Sequence, residues 1–327
     1  MKIAAACTLF LSGCAAGTQS ALNADGPAAS ELRSLILLFV AVCGVVFVLV
    51  MSVMAWALVR RKNQAPGEPQ SERSMGRVVN GAIVMTFLVI SFLTITSFYA
   101  TNGVDRGRDN QPTIAVRGQQ WWWQFTYLDA DPAKTFQTAN ELHIPVGTDV
   151  RLRLDATDVI HSFWVPNLTG KQDLVPGRDN RLTLHATKAG IYRGQCAEFC
   201  GLQHSHMALL VIAEEPEDYA RWLESQRETA AAPTDGDAAA GELVFMSKPC
   251  AACHTIRGTE ASGTSGPDLT HVGSRSMIAA GRLENTRGSV AAWIADPQTL
   301  KPGNNMPLVP LTGEELRQLS AYMSGLR

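Results

Sequence analysis

The sequence predicts a multidomain chain made of a two-helix transmembrane hairpin, an all-β sandwich and a small all-α domain. Three observations lead to this fold class. Two long apolar stretches lie before residue 100, short β-branched and aromatic runs separated by glycine and proline follow them, and helical patterns close the chain. The 327 residues leave room for two or more domains. A net charge of −2 provides no basic surface, so we expect no nucleic-acid partner.

Changes in composition along the chain set the predicted domain boundaries. We assign 1–14 to a signal peptide, 30–100 to the hairpin, 101–218 to the sandwich, 219–240 to a linker and 241–327 to the all-α domain. The linker is placed where Ala, Asp, Gly, Pro and Thr dominate the composition.

The start of the chain is typical of an export signal. Lys2 precedes an apolar stretch that is too short to cross a bilayer. The string that follows, Leu11-Ser12-Gly13-Cys14, resembles a bacterial lipoprotein processing site. Cleavage there would leave Cys14 as a lipidated N-terminus. The alternative is that a string of small residues follows the leader by chance.

The two apolar stretches are predicted to cross a membrane. Leu32–Val59 and Val78–Tyr99 each exceed the roughly 20 residues that a helical crossing needs. The loop between them is basic, with Arg60, Arg61, Lys62, Arg73 and Arg77. The positive-inside rule therefore places this loop in the cytoplasm and the later domains outside. We expect a two-pass protein of a bacterial inner membrane, with a buried hairpin of a soluble protein as the alternative.

The residues between the hairpin and the linker have the pattern of a β-sandwich or barrel. Strand-like runs include Thr113–Val116, Asp149–Leu154 and Arg181–Leu184, with glycine and proline between such runs. Three adjacent tryptophans, at 121–123, cannot all point inward, because successive side chains of a strand alternate between faces. At least one of them is expected to be exposed or at an interface.

A cluster of soft metal ligands lies within this predicted sandwich. The segment CAEFCGLQHSHM at 196–207 combines two thiols, imidazoles and a thioether. Such ligands suit copper in an electron-transfer role, whereas zinc is the competing interpretation of Cys and His together. The methionine and the exported setting argue against zinc. Because both Cys pairs of the chain lie beside histidine, we predict no structural disulfide.

The segment resembles the copper-binding loop of cytochrome c oxidase subunit II, with its pattern C-x-E-x-C-G-x-x-H-x-x-M. The resemblance implies a cupredoxin-like sandwich and a binuclear copper (CuA) centre in which both thiolates bridge two copper ions. The implied ligands are His161, Cys196, Cys200, His204, Met207 and the backbone carbonyl of Glu198.

Two further roles follow from the same resemblance. The Glu198 carboxylate would help to hold a Mg²⁺ ion against the catalytic subunit, and an ordinary solvated glutamate is the alternative. Trp121 would be the electron entry point, and simple packing is the alternative. His206 matches no ligand of the family, and His143 and His185 are interpreted as structural or surface histidines.

The C-terminal domain contains the attachment string of a c-type haem. In Cys250-x-x-Cys253-His254 both thiols would bind haem c covalently and the histidine would bind its iron. Two downstream segments, GPDL at 266–269 and KPGNNMP at 301–307, resemble those of class I cytochromes c. The resemblance implies Met306 as the sixth iron ligand, with His271 as a rival. It also implies that the Pro267 carbonyl orients the proximal imidazole. A redox-active Cys pair is the alternative.

Together these resemblances cover the chain from about residue 30 to its end and imply a subunit II with a fused cytochrome c, as in caa-type oxidases. Such a non-catalytic subunit would accept electrons from cytochrome c or a quinol–cytochrome c reductase. It would pass them to the haem–copper catalytic subunit I, where oxygen is reduced to water and protons are pumped. The alternatives are the electron-entry subunit of a nitric oxide reductase and an electron-transfer lipoprotein that acts alone. The catalytic partner discriminates among them.

Overall fold

The computed structural model describes residues 19–62, 72–102, 113–233 and 235–327. The predicted signal peptide 1–14, with the predicted lipidation site Cys14, therefore lies outside the described residues. The chain divides into two compact units, of which one is Ser30–Asp105 and the other combines Met1–Ala29 with Arg106–Arg327. Each unit is described by itself below.

The first unit is a pair of long helices, α1 (Pro27–Lys62) and α2 (Glu72–Asn102). Their apolar spans contain 34 and 27 residues. At about 1.5 Å per residue both exceed the roughly 30 Å of a bilayer core. Almost none of the apolar surface in these spans is buried within the protein. The two predicted helices are confirmed, and their length and composition suit a membrane anchor.

The sandwich of the second unit consists of two five-stranded sheets, with the orders β3-β2-β1-β5-β8 and β4-β10-β9-β6-β7. Most neighbouring strands are antiparallel, while β1–β5 and β10–β4 are parallel pairs. The strands are β1 (Thr113–Gln119), β2 (Trp122–Tyr127), β3 (Phe136–Ala139), β4 (Glu141–Pro145), β5 (Val150–Ala156), β6 (His161–Trp164), β7 (Gln172–Leu174), β8 (Asn180–Leu184), β9 (Gly190–Cys196) and β10 (Ala208–Glu214).

The aromatic strand β2 shows how the sequence builds the core of the sandwich. Trp123, Phe125 and Tyr127 are buried, while the residues between them are only half-buried. Trp123 meets Phe163 of the opposite sheet edge-on, with ring centroids 5.7 Å apart. Replacing a fully buried aromatic residue by Ala costs about 3–5 kcal/mol, so this face fixes the register of the strand. Among the three tryptophans, Trp122 is the one that stays half-buried in the strand.

A segment before α1 also packs on the sandwich. The Asp25 amide donates to the Asn167 carbonyl at 2.8 Å, and Lys188 pairs with the Asp25 carboxylate at 2.9 Å. The side-chain amide of Gln19 donates to that of Gln195, at 2.8 Å. The sandwich domain, called the copper domain below once its site has been described, thus includes residues that precede the hairpin in the sequence, which the predicted boundary at residue 101 does not include.

The predicted linker 219–240 contains regular structure. Helix α3 (Pro216–Arg227) begins with Pro at its first position and acidic residues in its first turn, which favours a helix start. Tyr219, Trp222 and Leu223 form a stripe at helical spacing that packs on the core of the sandwich. Most residues of the segment are polar or charged, so its average composition does not reveal these three apolar residues. Composition alone therefore indicated a linker.

The C-terminal domain is helical and has its own core. Its helices are α4 (Gly236–Ser247), α5 (Cys250–Cys253), α6 (Arg287–Ala295), α7 (Pro297–Leu300) and α8 (Gly313–Gly325), with a short pair of strands, β11 (Met277–Ile278) and β12 (Leu283–Glu284). Thr312 and Glu315 form a capping box that starts α8. Helix α4 packs on α8, where Phe245 and Tyr322 meet edge-on. The predicted fold class is confirmed.

Candidate metal and haem sites

The first candidate site lies between the ends of strands β6 and β9. Phe163 pairs with Cys196 across these strands, which brings His161 beside a cysteine that follows it by 35 residues. The loop after β9 closes on itself, because the Cys196 amide donates to the Met207 carbonyl at 2.9 Å. Strand pairing thus joins the upstream histidine to the loop at 196–207.

Cys196 lies at the centre of one half of this site. Its Sγ lies 3.8 Å from the Sγ of Cys200, 3.8 Å from Nδ1 of His161 and 3.2 Å from the backbone oxygen of Glu198. The ligand atoms of the two cysteines and His161 lie within 4.8 Å of one another. This is the one such cluster among the residues that the structure describes.

Cys200 forms the other half of the site. Its Sγ lies 3.6 Å from Nδ1 of His204 and 3.9 Å from the sulfur of Met207. The other four predicted donor atoms therefore lie around the two neighbouring cysteine sulfurs. Soft sulfur and imidazole donors in this number fit a copper centre.

The protonation states of Cys196 and Cys200 depend on each other. A hydrogen bond with Cys200 lowers the pKa of Cys196, and the same contact raises the pKa of Cys200. The reason is that two adjacent thiolates repel each other when no cation lies between them. A metal ion binds cysteine as the thiolate. Cations bound at this site would therefore offset the repulsion between the two thiolates.

Asp158 orients the histidine of the site. Its carboxylate accepts a hydrogen bond from Nε2 of His161 at 2.8 Å, which leaves Nδ1 facing the sulfur atoms. The same carboxylate accepts the Gln120 amide at 2.7 Å. A carboxylate behind a ligating histidine fixes the tautomer and orientation of the ring. Sequence reasoning missed Asp158, although it stands three residues before His161.

The predicted entry residue Trp121 lies directly on the loop. It is 7% exposed, and its ring Nε1 donates to the Cys200 carbonyl at 2.8 Å. The Gln120 side chain donates to the same oxygen at 2.7 Å. Trp121 is thus hydrogen-bonded to the backbone of a candidate copper ligand.

The Glu198 side chain points away from the sulfur atoms. Its carboxylate lies 3.4 Å from Nζ of Lys171 and is 44% exposed. The Mg²⁺ role predicted for this carboxylate requires a partner surface, and it stays a prediction.

The remaining histidines of the sandwich are engaged elsewhere. His206 contacts the Gln203 side chain at 3.0 Å and does not point at the sulfur pair. His143 stacks on Trp222 and pairs with a carboxylate, and His185 also pairs with one.

The second candidate site is a cleft in the C-terminal domain. Cys250, Cys253, His254 and Met306 all line it, together with apolar side chains that include Phe245, Leu269, Ile294, Leu319 and Met323. Two thiols, an imidazole and a thioether around an apolar cleft fit a covalently attached haem. Burial lowers the pKa of His254, which favours the neutral imidazole that ligates metals.

His254 is held by its neighbours on one side. Its Nδ1 lies 2.8 Å from the Pro267 carbonyl, which leaves Nε2 for iron. A Cβ atom on Gly266 would lie 2.6 Å from Cε1 of the ring, so only glycine fits there. The rival ligand His271 instead contacts the Glu228 carbonyl through Nε2, at 3.1 Å.

Sequence reasoning also missed the residues that join the two domains. Glu141 of β4 is 3% exposed and accepts the amides of Ser276 and Met277, at 2.6 and 3.0 Å. Lys301 and Gln203 make further contacts between the domains. Single residues of this kind carry no motif, and their role appears only once both domains have folded.

Comparisons with known proteins find a family match over each of the two domains that contain these sites. The family model "Cytochrome C oxidase subunit II, periplasmic domain" matches residues 128–214, and the model "Cytochrome c" matches residues 238–327. A "Cytochrome c oxidase subunit 2" of Alkalihalophilus pseudofirmus is 35% identical over 331 residues, covering 98% of this chain and 94% of the relative. A relative of the same name from Bacillus subtilis is 28% identical, covering 98% of this chain and 95% of the relative.

Among solved structures, the periplasmic domain of subunit II of cytochrome oxidase (CoxB) of Bradyrhizobium japonicum is 30% identical. The match covers 36% of this chain and 93% of that chain, with a TM-score of 0.33.

Proposed function

The chain belongs to the cytochrome c oxidase subunit II family, and on that premise we propose that it carries electrons from an outside donor, through haem c and a CuA centre, to the catalytic subunit. The observation that supports this most is the presence of both ligand sets in one compact unit. Four further donor atoms lie around the two cysteine sulfurs, and the haem ligands line one cleft of the adjoining domain.

The bound groups would supply one-electron exchange, and the residues of the chain would hold them in place. We assign the copper ions to His161, Cys196, Glu198, Cys200, His204 and Met207, and the haem to Cys250, Cys253, His254 and Met306. Asp158 keeps Nδ1 of His161 aimed at the sulfur pair, and the Pro267 carbonyl does the same for the His254 ring. Met306 together with His254 would give a bound haem His/Met ligation, which would raise its reduction potential.

The number of donors around the two cysteines favours two metal ions over one. A structural zinc site is tetrahedral and takes four ligands. Six donors exceed that number, whereas two copper ions could use them all. This count favours two copper ions over one zinc ion.

We also place the chain in its assembly. Two helices of spanning length fit a two-pass anchor in a bacterial inner membrane, with both soluble domains on the periplasmic face. Subunit I and other oxidase subunits would be the partners within the membrane. Oxygen reduction and proton pumping would take place in subunit I. The Glu198 carboxylate would meet Mg²⁺ at that interface, and cytochrome c or a quinol–cytochrome c reductase would be the donor.

The relatives favour an oxidase over the nitric oxide reductase alternative, because both are named cytochrome c oxidase subunit 2. A test is to purify the full chain under mild detergent and identify the large subunit that accompanies it. We expect a haem–copper oxidase subunit and oxygen uptake that depends on an added c-type cytochrome. A nitric oxide reductase subunit, or a chain that is isolated alone, would contradict the proposal.

A further inference from the structure

The loop that carries Met306 packs against the copper domain beside Trp121. Three consecutive residues of this loop, at 301–303, make the contacts. They lie in the second compact unit of the chain together with the residues that they touch. This methionine loop (residues 301–307) is therefore positioned by the copper domain as well as by its own domain.

Lys301 makes its contact through a buried amine, a group that costs free energy to remove from water. It is 3% exposed, and its Nζ donates to the Trp121 carbonyl at 2.6 Å and lies 3.4 Å from the Ala279 carbonyl. Burial lowers the pKa of Lys301 to about 7. Within the described ranges, the ion pairs of the chain include none to this ammonium group. A buried amine that depends on carbonyl oxygens is held closely to them, since losing them leaves its N–H donors buried without an acceptor.

The two residues that follow strengthen this contact. The Gln203 side chain donates to the Pro302 carbonyl at 2.8 Å. Gly303 has a φ of +83°, and a Cβ atom there would lie 3.2 Å from Cδ1 of Leu202 and 3.5 Å from the Trp121 ring. A Cβ atom here would be in ordinary van der Waals contact with the indole, so the methionine loop passes close to the ring, and the positive φ favours glycine at this position.

Trp121 is consequently hydrogen-bonded to two parts of the chain. Its ring donates to the Cys200 carbonyl in the copper loop, and its own carbonyl accepts from the methionine loop. With 7% of its surface exposed, the ring offers almost no area on which a separate protein could dock.

We propose that Lys301 is a positioning residue that fastens the methionine loop to Trp121, making this tryptophan an internal bridge between the haem and copper domains. The inference rests on the proposed function and adds the point at which electrons enter the chain. A separate protein donor would have to deliver electrons to the haem domain, because the indole is covered. Electron tunnelling weakens steeply with distance, so a fixed contact at Trp121 favours one internal route.

The test compares Lys301→Met with the unaltered full chain in its purified complex. Hydroxyl-radical labelling followed by mass spectrometry reports how often the Trp121 ring becomes accessible. Labelling of a covered ring follows the population of the open state. Loss of this buried hydrogen bond leaves the Trp121 carbonyl without its donor and should raise the Trp121 labelling rate by about tenfold. Flash reduction of the haem should show slower electron transfer to copper, with the absorption bands of both centres unchanged.

Lys134→Met is the matched control, since Lys134 is an exposed lysine of the copper domain. It should leave both the labelling rate and the transfer rate as they are. If Lys301→Met does not fold, the unaltered complex still decides. Trp121 should then be labelled as slowly as the fully buried Trp123 and more slowly than the half-buried Trp122.

The inference is overturned if Lys301→Met leaves either rate at that of the unaltered chain, or if Trp121 in the unaltered complex is labelled as fast as Trp122. These outcomes are distinct from a failure of the proposed function. That failure would appear beforehand as a complex that lacks copper or covalent haem.

Discussion

The copper loop and the haem cleft gather their ligands from the chain in different ways. The loop at 196–207 supplies five of the six copper donors, and paired strands bring the sixth, His161, beside it. The haem cleft takes three ligands from 250–254, and Met306 comes from a stretch without regular structure. Strand pairing fixes the copper donors inside one domain, whereas the methionine loop needs contacts with the other domain. A change at the copper loop should therefore stay local, and a change around the haem ligands should have wider effects.

The largest effect is expected where the haem ligand has the least space. In Gly266→Ala, the new Cβ would lie 2.6 Å from Cε1 and 2.8 Å from Nδ1 of His254, which displaces the ring from the Pro267 carbonyl. Overpacking of this kind costs about 1–3 kcal/mol. The haem domain should melt at a lower temperature, measured by its haem absorbance. Gly325→Ala is the control, because a Cβ there meets nothing within 4 Å; equal melting temperatures for both variants would contradict the role of Gly266.

The next effect concerns the residue that orients the copper histidine. Asp158→Asn removes the charge behind His161 and should weaken copper binding by about 10- to 100-fold, as is typical for such partners of metal ligands. Competition with a copper chelator measures the affinity. Asp155→Asn, which alters an exposed pair with Arg117, should bind copper as the unaltered chain does. If the two variants bind copper equally well, Asp158 does not act through His161.

A smaller change at the sulfur pair tests whether the two sites are independent. Met207→Leu conserves volume, so it should cost less than about 1.5 kcal/mol in stability. It removes a thioether donor that lies 3.9 Å from the Cys200 sulfur. The copper absorption bands should shift while the haem bands stay as they are. Equal changes in both sets of bands would show that the assignment of the sites to two domains is wrong.

The smallest effect concerns the contact between the domains, and it depends on pH. Burial raises the pKa of Glu141 above its ordinary value of 4.5. The folded chain then holds this proton at pH values where the unfolded chain has lost it. The resulting stability is fully present below 4.5 and is lost as the pH rises through the folded pKa.

Glu141→Gln should remove this part of the pH dependence, as measured by thermal unfolding of the chain in detergent between about pH 4 and 7. The exposed Glu260→Gln serves as the control and should follow the unaltered chain. A Glu141→Gln curve that is parallel to that of the control would contradict a role for the buried carboxylate.

The same comparison explains what the sequence could and could not predict. The copper donors and the haem attachment string lie close together in the chain, so short motifs identify them. The fold class follows from period and composition, because each domain buries its own apolar face. Helix α3 was missed because its three apolar residues are diluted by charged neighbours.

The contacts between domains were beyond the reach of sequence reasoning for a different reason. A buried lysine such as Lys301 looks like any surface lysine until its partner carbonyl, 180 residues away, is brought beside it. The same holds for Glu141, whose partners lie 135 and 136 residues further along the chain. No local pattern encodes such distant pairs. Asp158 is the exception, since its place three residues before a ligating histidine could have suggested it.

The most direct test of the account is to count the metals on one chain. The full chain in detergent, produced with copper and with the machinery for haem attachment, should contain two copper ions and one covalent haem per chain, measured by metal analysis and by the haem absorbance of the denatured protein. A single copper ion, zinc in place of copper, or haem that separates on denaturation would contradict the central claim that this chain carries both electron-transfer centres.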